Sequence, residues 1–156
     1  MLTVSLLVCA VIVLAGADDD AAAAPSCPEL WSEFNGRCFN YVGTERSWTD
    51  AEKNCQSMKG NLASVHNDEE FGFLQGMMAE DNSTNPDIWI GGSNCQQDKT
   101  WLWSNGQVFF YSNWCDGKPD NEGGSQHCLG MNSTDGSCWN DLDCSSKLPS
   151  VCAVSL

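Results

Sequence analysis

Two short polar segments of this chain combine acids and amides with cysteines, and these are the residues whose types and spacing could do chemistry. Residues 114–121 read WCDGKPDN, and residues 138–141 read CWND. Carboxylate and amide oxygens on a rigid surface can hold a hard cation, a sugar or a layer of water. Because cysteines flank both segments, we expect disulfides to clamp them and the rest of the chain to hold them side by side.

The first 17 residues are apolar and end in Ala-Gly-Ala. An apolar run of this length before an A-x-A-like site is typical of a signal peptide and is short for a membrane span. The sequence therefore predicts a signal peptide at 1–17, an acidic, alanine-rich leader at 18–26 and one domain at 27–156. We expect a secreted, extracellular protein with no membrane insertion.

The composition limits the partners and the redox environment. The chain has 21 Asp and Glu against 7 Lys and Arg, for a net charge of −14. Nucleic acid is therefore not expected as a partner, because binding to phosphates needs Lys and Arg. Of the 10 cysteines, Cys9 lies in the signal peptide, which leaves nine. A secreted chain so rich in cysteine is a disulfide framework, and the odd number leaves one thiol unpaired or paired between chains.

Two helices are predicted in the first half of the domain. Ser47 can cap a helix that runs to Met58, with apolar residues on one face at spacings of three and four. Asn67 opens a second helix, and a glutamate three residues later completes a capping-box pattern. Gly72 and Gly76 each weaken this helix by roughly 1 kcal/mol relative to Ala, so we expect it to be short or frayed.

The rest of the domain has the pattern of short strands. Residues 27–38 predict a hairpin around Asn-Gly that is closed by its own disulfide. Residues 89–92 (WIGG) predict a buried strand, and residues 101–103 (WLW) have an alternating strand pattern after a polar turn. Asn-Gly at 105–106 predicts a second hairpin. Helices early and short strands late predict the α+β class. The tryptophans are interpreted as core or loop-anchoring residues.

The long connections late in the chain are the expected functional region. Long loops in a compact domain are usually functional or disordered, and here cysteines tether both residues 116–127 and 132–137. Asn82 and Asn132 begin N-x-S/T sequons, which predicts surface positions that can accept a glycan.

Taken together, several motifs resemble those of the C-type lectin-like domain. They are WIGG at 89–92, WLWS at 101–104, Trp114 with KPD at 118–120, and CWND at 138–141 followed by Cys144 and Cys152. The resemblance covers Cys27 to the C-terminus and implies two helices, two small antiparallel sheets and a disulfide-stapled long loop region. Extra cysteines at 95, 115 and 138 make the chain similar to the type II antifreeze proteins of fish, which are built on that fold.

The family's disulfide pattern implies four bridges here. They are Cys27–Cys38, Cys55–Cys152, Cys115–Cys138 and Cys128–Cys144. In the type II antifreeze pattern, Cys95 would pair with a cysteine immediately before Cys128, but this chain has His127 there. The resemblance therefore implies that Cys95 is unpaired. The alternatives are a dimer through Cys95 and a buried, inert thiol.

In sugar-binding members of the family, calcium lies between the two loops and ligates the sugar directly. The family's ligand positions correspond here to Lys118, Asp120, Gln126, Asn140 and Asp141. Lys118 brings an ammonium where an oxygen is needed, and Gln126 is neutral where the family has an acid. Calcium takes six to eight oxygens and gains affinity from ligand charge.

These departures predict a vestigial or weak calcium site formed by Asp120, Asn140 and Asp141. Lys118 could instead pair with Asp120 or Asp141 and replace the ion by an internal salt bridge. Asn121 and Glu122 could offer further oxygens. We therefore expect no cofactor other than weakly bound calcium at most.

A Lys-Pro-Asp triplet also occurs among type II antifreeze proteins that do without calcium. The resemblance thus implies a non-enzymatic protein that adsorbs to ice without calcium, with Thr84, Thr134 and the polar loop as candidate contacts. The alternatives are a calcium-dependent lectin of galactose type and an inherited, inactive loop. The chain has no nucleophile elbow, complete zinc signature or phosphate-binding glycine loop, which argues against an enzyme. We expect a monomer, or a dimer through Cys95.

Overall fold

The computed structural model describes residues 24–80, 87–132 and 137–156, and it contains both expected helices. Helix α1 spans Trp48–Ser57 and helix α2 spans Asp68–Glu80. The expected signal peptide lies outside the described residues, as do Asn82, Thr84 and Thr134. No helix within the described part of the chain combines the length and apolar character needed to cross a bilayer.

Eight strands of the described chain form one mixed sheet. They are β1 (Ser32–Phe34), β2 (Arg37–Arg46), β3 (Asn61–Leu62), β4 (Asp87–Ser93), β5 (Leu102–Trp103), β6 (Gln126–Asn132), β7 (Trp139–Asp143) and β8 (Leu148–Ser155). The order is β1-β2-β8-β4-β6-β7, with β3 beside β8 and β5 beside β4.

The sheet consists of two antiparallel groups that meet at a single parallel pair. Strands β1, β2, β3 and β8 pair antiparallel, and so do β4, β5, β6 and β7. Trp89 of β4 lies opposite Ser150 of β8 in parallel register, which joins the groups. The α+β class is confirmed, and the two expected antiparallel sheets are continuous with each other at this pair.

Helix α1 is capped as its sequence predicts, and helix α2 is longer than expected. Ser47 Oγ accepts a hydrogen bond from Asp50 N–H at 3.3 Å. Helix α2 runs for 13 residues, so the expectation of a short helix is wrong. Its buried residues include Leu74, which is completely buried, and that apolar burial outweighs the roughly 1 kcal/mol that Gly72 and Gly76 each cost.

The cap of α2 also differs in detail from the capping box. Asn67 Oδ1 accepts the N–H of Glu70 at 2.8 Å, as expected of a cap. The Glu70 carboxylate accepts the N–H of His66 at 2.9 Å and pairs with Arg37 at 3.1 Å. Glu70 is therefore committed to the packing of α2 against β2.

Of the two expected Asn-Gly hairpins, the first is present and the second is not. Asn35 and Gly36 both have positive φ, as a two-residue hairpin turn requires, and β1 pairs with β2 across them. The second turn, at 105–106, is present, but no strand follows it, so the second hairpin is wrong. Side chains hold the chain after this turn: Gln107 Oε1 accepts the Ser64 hydroxyl at 2.6 Å, and Phe109 stacks on the Trp103 ring at 4.6 Å.

The tryptophans pack as expected of core and loop-anchoring residues. Trp89 and Trp139 are completely buried, and Trp103 is nearly so. Trp101 and Trp114 are half-buried with ring centroids 4.8 Å apart, against the main core. The Trp114 and Trp139 rings meet edge to face at 5.8 Å, which places the first polar segment beside β7.

The four disulfides implied by the resemblance are all confirmed. Their Cα–Cα distances are 5.4 Å for Cys27–Cys38, 5.3 Å for Cys55–Cys152, 4.9 Å for Cys115–Cys138 and 5.1 Å for Cys128–Cys144. Cys95 is free and exposed, so the alternative of a buried thiol is wrong.

The bridges should contribute unequally to stability because they close loops of different length. Replacing both Cys55 and Cys152 by Ala opens a loop of 97 residues and should lower the free energy of unfolding by about 4 to 5 kcal/mol. The matched Cys27→Ala, Cys38→Ala variant opens a loop of 11 residues and should lose about 3 kcal/mol. Urea unfolding of the two variants measures the difference; equal losses would contradict the chain-entropy account.

Candidate functional site

Strand β7 and the segment after Trp114 form a clamped pair at one edge of the sheet. Cys115 N–H donates to Trp139 O at 2.9 Å, and Trp139 N–H donates to Asn113 O at 2.7 Å. The Cys115–Cys138 bridge closes the same junction. The loop of residues 116–127, here called the binding loop, therefore starts from a fixed end, and the Cys128–Cys144 bridge fixes the other end.

The carboxylate of Asp141 holds the middle of the binding loop. Asp141 is almost fully buried in β7, at 1 % exposure. Its two oxygens accept the backbone N–H groups of Asp120 at 3.2 Å and Asn121 at 2.6 Å. A buried carboxylate needs such donors, because an unpaired buried charge is costly. The binding loop thus supplies the hydrogen-bond donors that stabilise the buried carboxylate of Asp141.

Two side-chain amides close the rest of the loop. Asn121, in the left-handed region with φ 48°, accepts the N–H of Gln126 on its Oδ1 at 2.9 Å. Gln126 Oε1 accepts the N–H of Glu122 at 2.9 Å. These bonds span the short 3-10 turn at Glu122–Gly124. Both amide oxygens, which could otherwise face a ligand, are engaged within the loop.

Lys118 forms an ion pair within the binding loop. Its Nζ lies 3.0 Å from both carboxylate oxygens of Asp120. The hydrogen bond to Asp120 raises the pKa of Lys118, and the charges of Asp120, Asp141 and Glu122 add to this effect. The same hydrogen bond lowers the pKa of Asp120. Both groups therefore stay charged near neutral pH, as the salt-bridge interpretation of the sequence requires.

Asn140 is the exception among the expected ligand residues. Its Oδ1 is buried and has no hydrogen-bond partner. Asn140 lies in β7 next to Asp141, opposite Gly130 of β6. A buried amide oxygen without a partner costs free energy, so this atom is the one feature of the site that would suit a cation or a donor from a ligand.

The residues present do not fit a calcium ion. Calcium takes six to eight oxygens at 2.3–2.6 Å, and its affinity rises with ligand charge. Here Lys118 offers no oxygen and occupies both oxygens of Asp120, while Gln126 is neutral and already accepts a backbone N–H. Asn140 alone is left with a spare buried oxygen. The ammonium of Lys118 supplies the positive charge beside Asp120.

A cavity of about 300 Å³ opens beside the binding loop. One wall comes from the segment after β4, and the other comes from the binding loop together with Asp141 of β7. The lining residues are Asn94, Asp98, Lys99, Trp101, Pro119, Asp120, Asn121 and Asp141. The sequence alone does not predict that the first four of these residues lie at the site. It predicts only an anchoring role for Trp101, and no sequence pattern signals that the segment after β4 reaches the loop. Gln126 and Lys118 are absent from this lining.

Asn132 and His127 both form side-chain hydrogen bonds with other parts of the chain. Asn132, which begins a sequon, donates from its Nδ2 to Asp87 Oδ1 at 2.8 Å, and the other sequon lies outside the described residues. His127, at the position of the missing cysteine, has its Nδ1 2.9 Å from Asn94 Oδ1. His127 therefore bridges β6 to the segment after β4, where a disulfide would otherwise do so.

The chain belongs to the Lectin C-type domain family, whose model matches residues 44–154. Among solved structures, it is similar to a calcium-independent type II antifreeze protein, with a TM-score of 0.75 and 34% identity over 83% of this chain and 95% of that one. It is equally similar in fold to a Ca²⁺-dependent type II antifreeze protein in its Ca²⁺-free form, with a TM-score of 0.75 and 30% identity over 83% of this chain and 100% of that one.

Full-length relatives include both lectins and ice-structuring proteins. Ladderlectin from Oncorhynchus mykiss is 40% identical over 96% of this chain and 91% of its own length. A type-2 ice-structuring protein from Hemitripterus americanus is 38% identical over 99% of each chain. The galactose-specific lectin nattectin from Thalassophryne nattereri is 35% identical over 90% of this chain and 88% of its own length. The resemblance found in the sequence is thereby confirmed at the level of the family and of its antifreeze members.

If Lys118 and the neutral Gln126 prevent calcium binding, replacing both residues should create calcium affinity. Replacing Lys118 by Gln and Gln126 by Glu together removes a positive charge, adds a carboxylate and frees both oxygens of Asp120. We expect the dissociation constant for calcium, measured by isothermal titration calorimetry, to fall at least about tenfold, or about 1.4 kcal/mol. Lys118→Arg with Gln126→Asn is the matched control and should show no gain. If the first variant binds calcium no better than the wild type, the ligand assignment is incorrect.

Proposed function

We propose that this protein is a secreted, non-enzymatic binding protein whose binding loop adsorbs to ice without calcium. The mature protein begins after residue 17, and its domain extends over residues 27–156. The contact surface comprises the binding loop around Lys118, Asp120, Asn121 and Gln126, with Asn140 and Asp141 supporting it from β7.

One observation carries this proposal: the binding loop is held by hydrogen bonds, an ion pair and disulfides within the protein. Asp141 accepts two loop N–H groups, and the Lys118 ammonium neutralises Asp120. Two disulfides fix the ends of the loop. A surface that is already ordered loses little conformational entropy on adsorption, and this favours binding to a rigid lattice.

The relatives support ice as the ligand without excluding others. The similarity to the type-2 ice-structuring protein covers nearly the whole of both chains. One of the similar solved structures is a type II antifreeze protein described as calcium-independent, which matches the chemistry of the Lys118–Asp120 pair.

Thermal hysteresis of the purified protein tests the proposal. We expect hysteresis and ice shaping at millimolar protein, equal with and without EDTA, because no ion holds the loop. Asp116→Tyr places a bulky side chain on an exposed loop position and should lower the hysteresis at least about twofold, since the loop then meets the lattice less closely. Lys53→Tyr, at an exposed position of α1, is the matched control and should leave it unchanged.

Absence of hysteresis at millimolar protein would overturn the proposal of ice binding. Hysteresis that EDTA abolishes would keep ice as the ligand and overturn independence from calcium. An equal loss in the Asp116 and Lys53 variants would show that the binding loop is not the contact surface.

A second candidate function is calcium-dependent binding of a galactose-type sugar. The observation that favours it is the unpartnered Oδ1 of Asn140, together with a 300 Å³ cavity lined by Trp101. Aromatic side chains suit the apolar face of a sugar, and amides suit its hydroxyls. This function requires Lys118 to release Asp120, so that the carboxylate becomes available.

Retention on immobilised galactose distinguishes the two functions. Sugar binding predicts retention that needs calcium and is lost on Trp101→Ala, because the wall of the cavity is removed. If the first proposal is correct, the protein passes through the column with and without calcium. A calorimetric titration with no heat of calcium binding would count against the sugar function.

A further inference from the structure

Three sulfur atoms lie close together in the cleft between α1 and β5, and one of them belongs to the free cysteine. Cys95 follows β4, where Asn94 N–H donates to His127 O at 3.1 Å and fixes the backbone beside β6. From there, Cys95 Sγ lies 4.0 Å from Cys144 Sγ. The sulfurs of Cys95, Cys128 and Cys144 all lie within 4.8 Å of one another.

The three sulfurs differ in their access to solvent. Cys95 is exposed, Cys144 is half-buried and Cys128 is only 1 % exposed in the smaller core cluster. All three line a cleft of about 450 Å³ between α1 and β5, which leaves room for the Cys95 side chain to move. The free thiol and the half-buried sulfur of the bridge can therefore meet on the solvent side.

We propose that Cys95, Cys128 and Cys144 form an intramolecular thiol–disulfide exchange site. The Cys95 thiolate attacks Cys144 Sγ, a Cys95–Cys144 bond forms, and the Cys128–Cys144 bond breaks. The electron pair of the broken bond leaves on Cys128, which takes up the proton that Cys95 released. The exchange consumes no oxidant or reductant, because the number of disulfides and thiols is unchanged.

The arrangement of the three sulfurs favours the observed Cys128–Cys144 disulfide but also permits a Cys95–Cys144 disulfide. Because Cys95 Sγ lies near both bonded sulfurs, it sits beside the bond rather than on its extension. Attack therefore requires a rotation of the Cys95 side chain, for which its exposure leaves space. Cys128 is a poor leaving group in an apolar surrounding, since burial disfavours a thiolate. Once protonated, however, its thiol is suited to a core position, because free cysteine behaves there as a small apolar residue.

The exchange would connect the two walls of the cavity at the binding loop. The segment after Cys95 contributes Asp98, Lys99 and Trp101 to that cavity, and Cys144 follows β7, which carries Asp141. Re-pairing therefore ties one wall to the end of β7 and offers two covalent forms of the proposed binding surface. This consequence rests on the proposed function, whereas the exchange itself does not.

Disulfide mapping of the wild-type protein tests the exchange without any ligand. The oxidised protein is incubated at about pH 8.5 without reductant, since the thiolate is the attacking species, and is then quenched in acid. Alkylation of the unfolded chain and peptide mass spectrometry follow. We expect a Cys95–Cys144 peptide to increase with time to a plateau, with equal labelling of Cys128. If only the Cys128–Cys144 peptide is found, or if Cys95 lies in a bridge between chains, the proposal is overturned.

Two variants give independent readouts. Cys128→Ala removes the competing partner, so oxidised glutathione should join Cys95 to Cys144 and reduce the reactive thiols from two per chain to none. Two persisting thiols would overturn the proposal. Cys95→Ser is the matched control, in which Cys128 and Cys144 should stay paired with each other after the same incubation. Re-pairing of either residue in this variant would overturn the role of Cys95 as the nucleophile. Neither result depends on ice or sugar binding.

Discussion

The buried carboxylate of Asp141 is the interaction on which the binding loop depends. It lies in β7, between sheet and loop, and must be satisfied because a buried charge without donors is strongly unfavourable. The backbone N–H groups of Asp120 and Asn121 donate hydrogen bonds to it, so the same two bonds stabilise the carboxylate and order the loop. The amides of Asn121 and Gln126 then close the remaining turn.

The charge balance of the loop follows from this constraint. With Asp141 facing backbone donors, Asp120 is the acid that still needs a cation, and Lys118 provides it at 3.0 Å. A lysine is part of the chain, so this ion pair needs no ion from solution. An internal ion pair thus balances the charge of Asp120, and the buried Oδ1 of Asn140 remains without a hydrogen-bond partner.

The proposed sulfur chemistry depends on a thiol that the four disulfides leave unpaired. His127 stands where the type II antifreeze pattern has a cysteine, and it bridges to Asn94 by a hydrogen bond. This hydrogen bond joins β6 to the segment after β4, and Cys95 keeps a free thiol. Because Ser93 at the end of β4 lies opposite Cys128 of β6, that thiol lies next to the Cys128–Cys144 bridge, and its proposed reaction is with a bond of the same molecule.

The sequence left Asp120 and Asp141 both open as the partner of Lys118, and the structure shows Asp120. The family and the capping residues of both helices can be predicted from the residues, and the resemblance to the family implies all four disulfide pairs. These depend on local spacing or on motifs whose residue types are individually distinctive. It misjudged the length of α2 and the second hairpin, because the burial of Leu74 and the packing of Gln107 and Phe109 are decided by distant parts of the chain. Only the tertiary structure brought Trp101 and Lys99 to the loop and Cys95 to Cys144. Those contacts depend on the register of β4 against β6. Many weak interactions across the sheet set that register, so no single segment of the sequence predicts it.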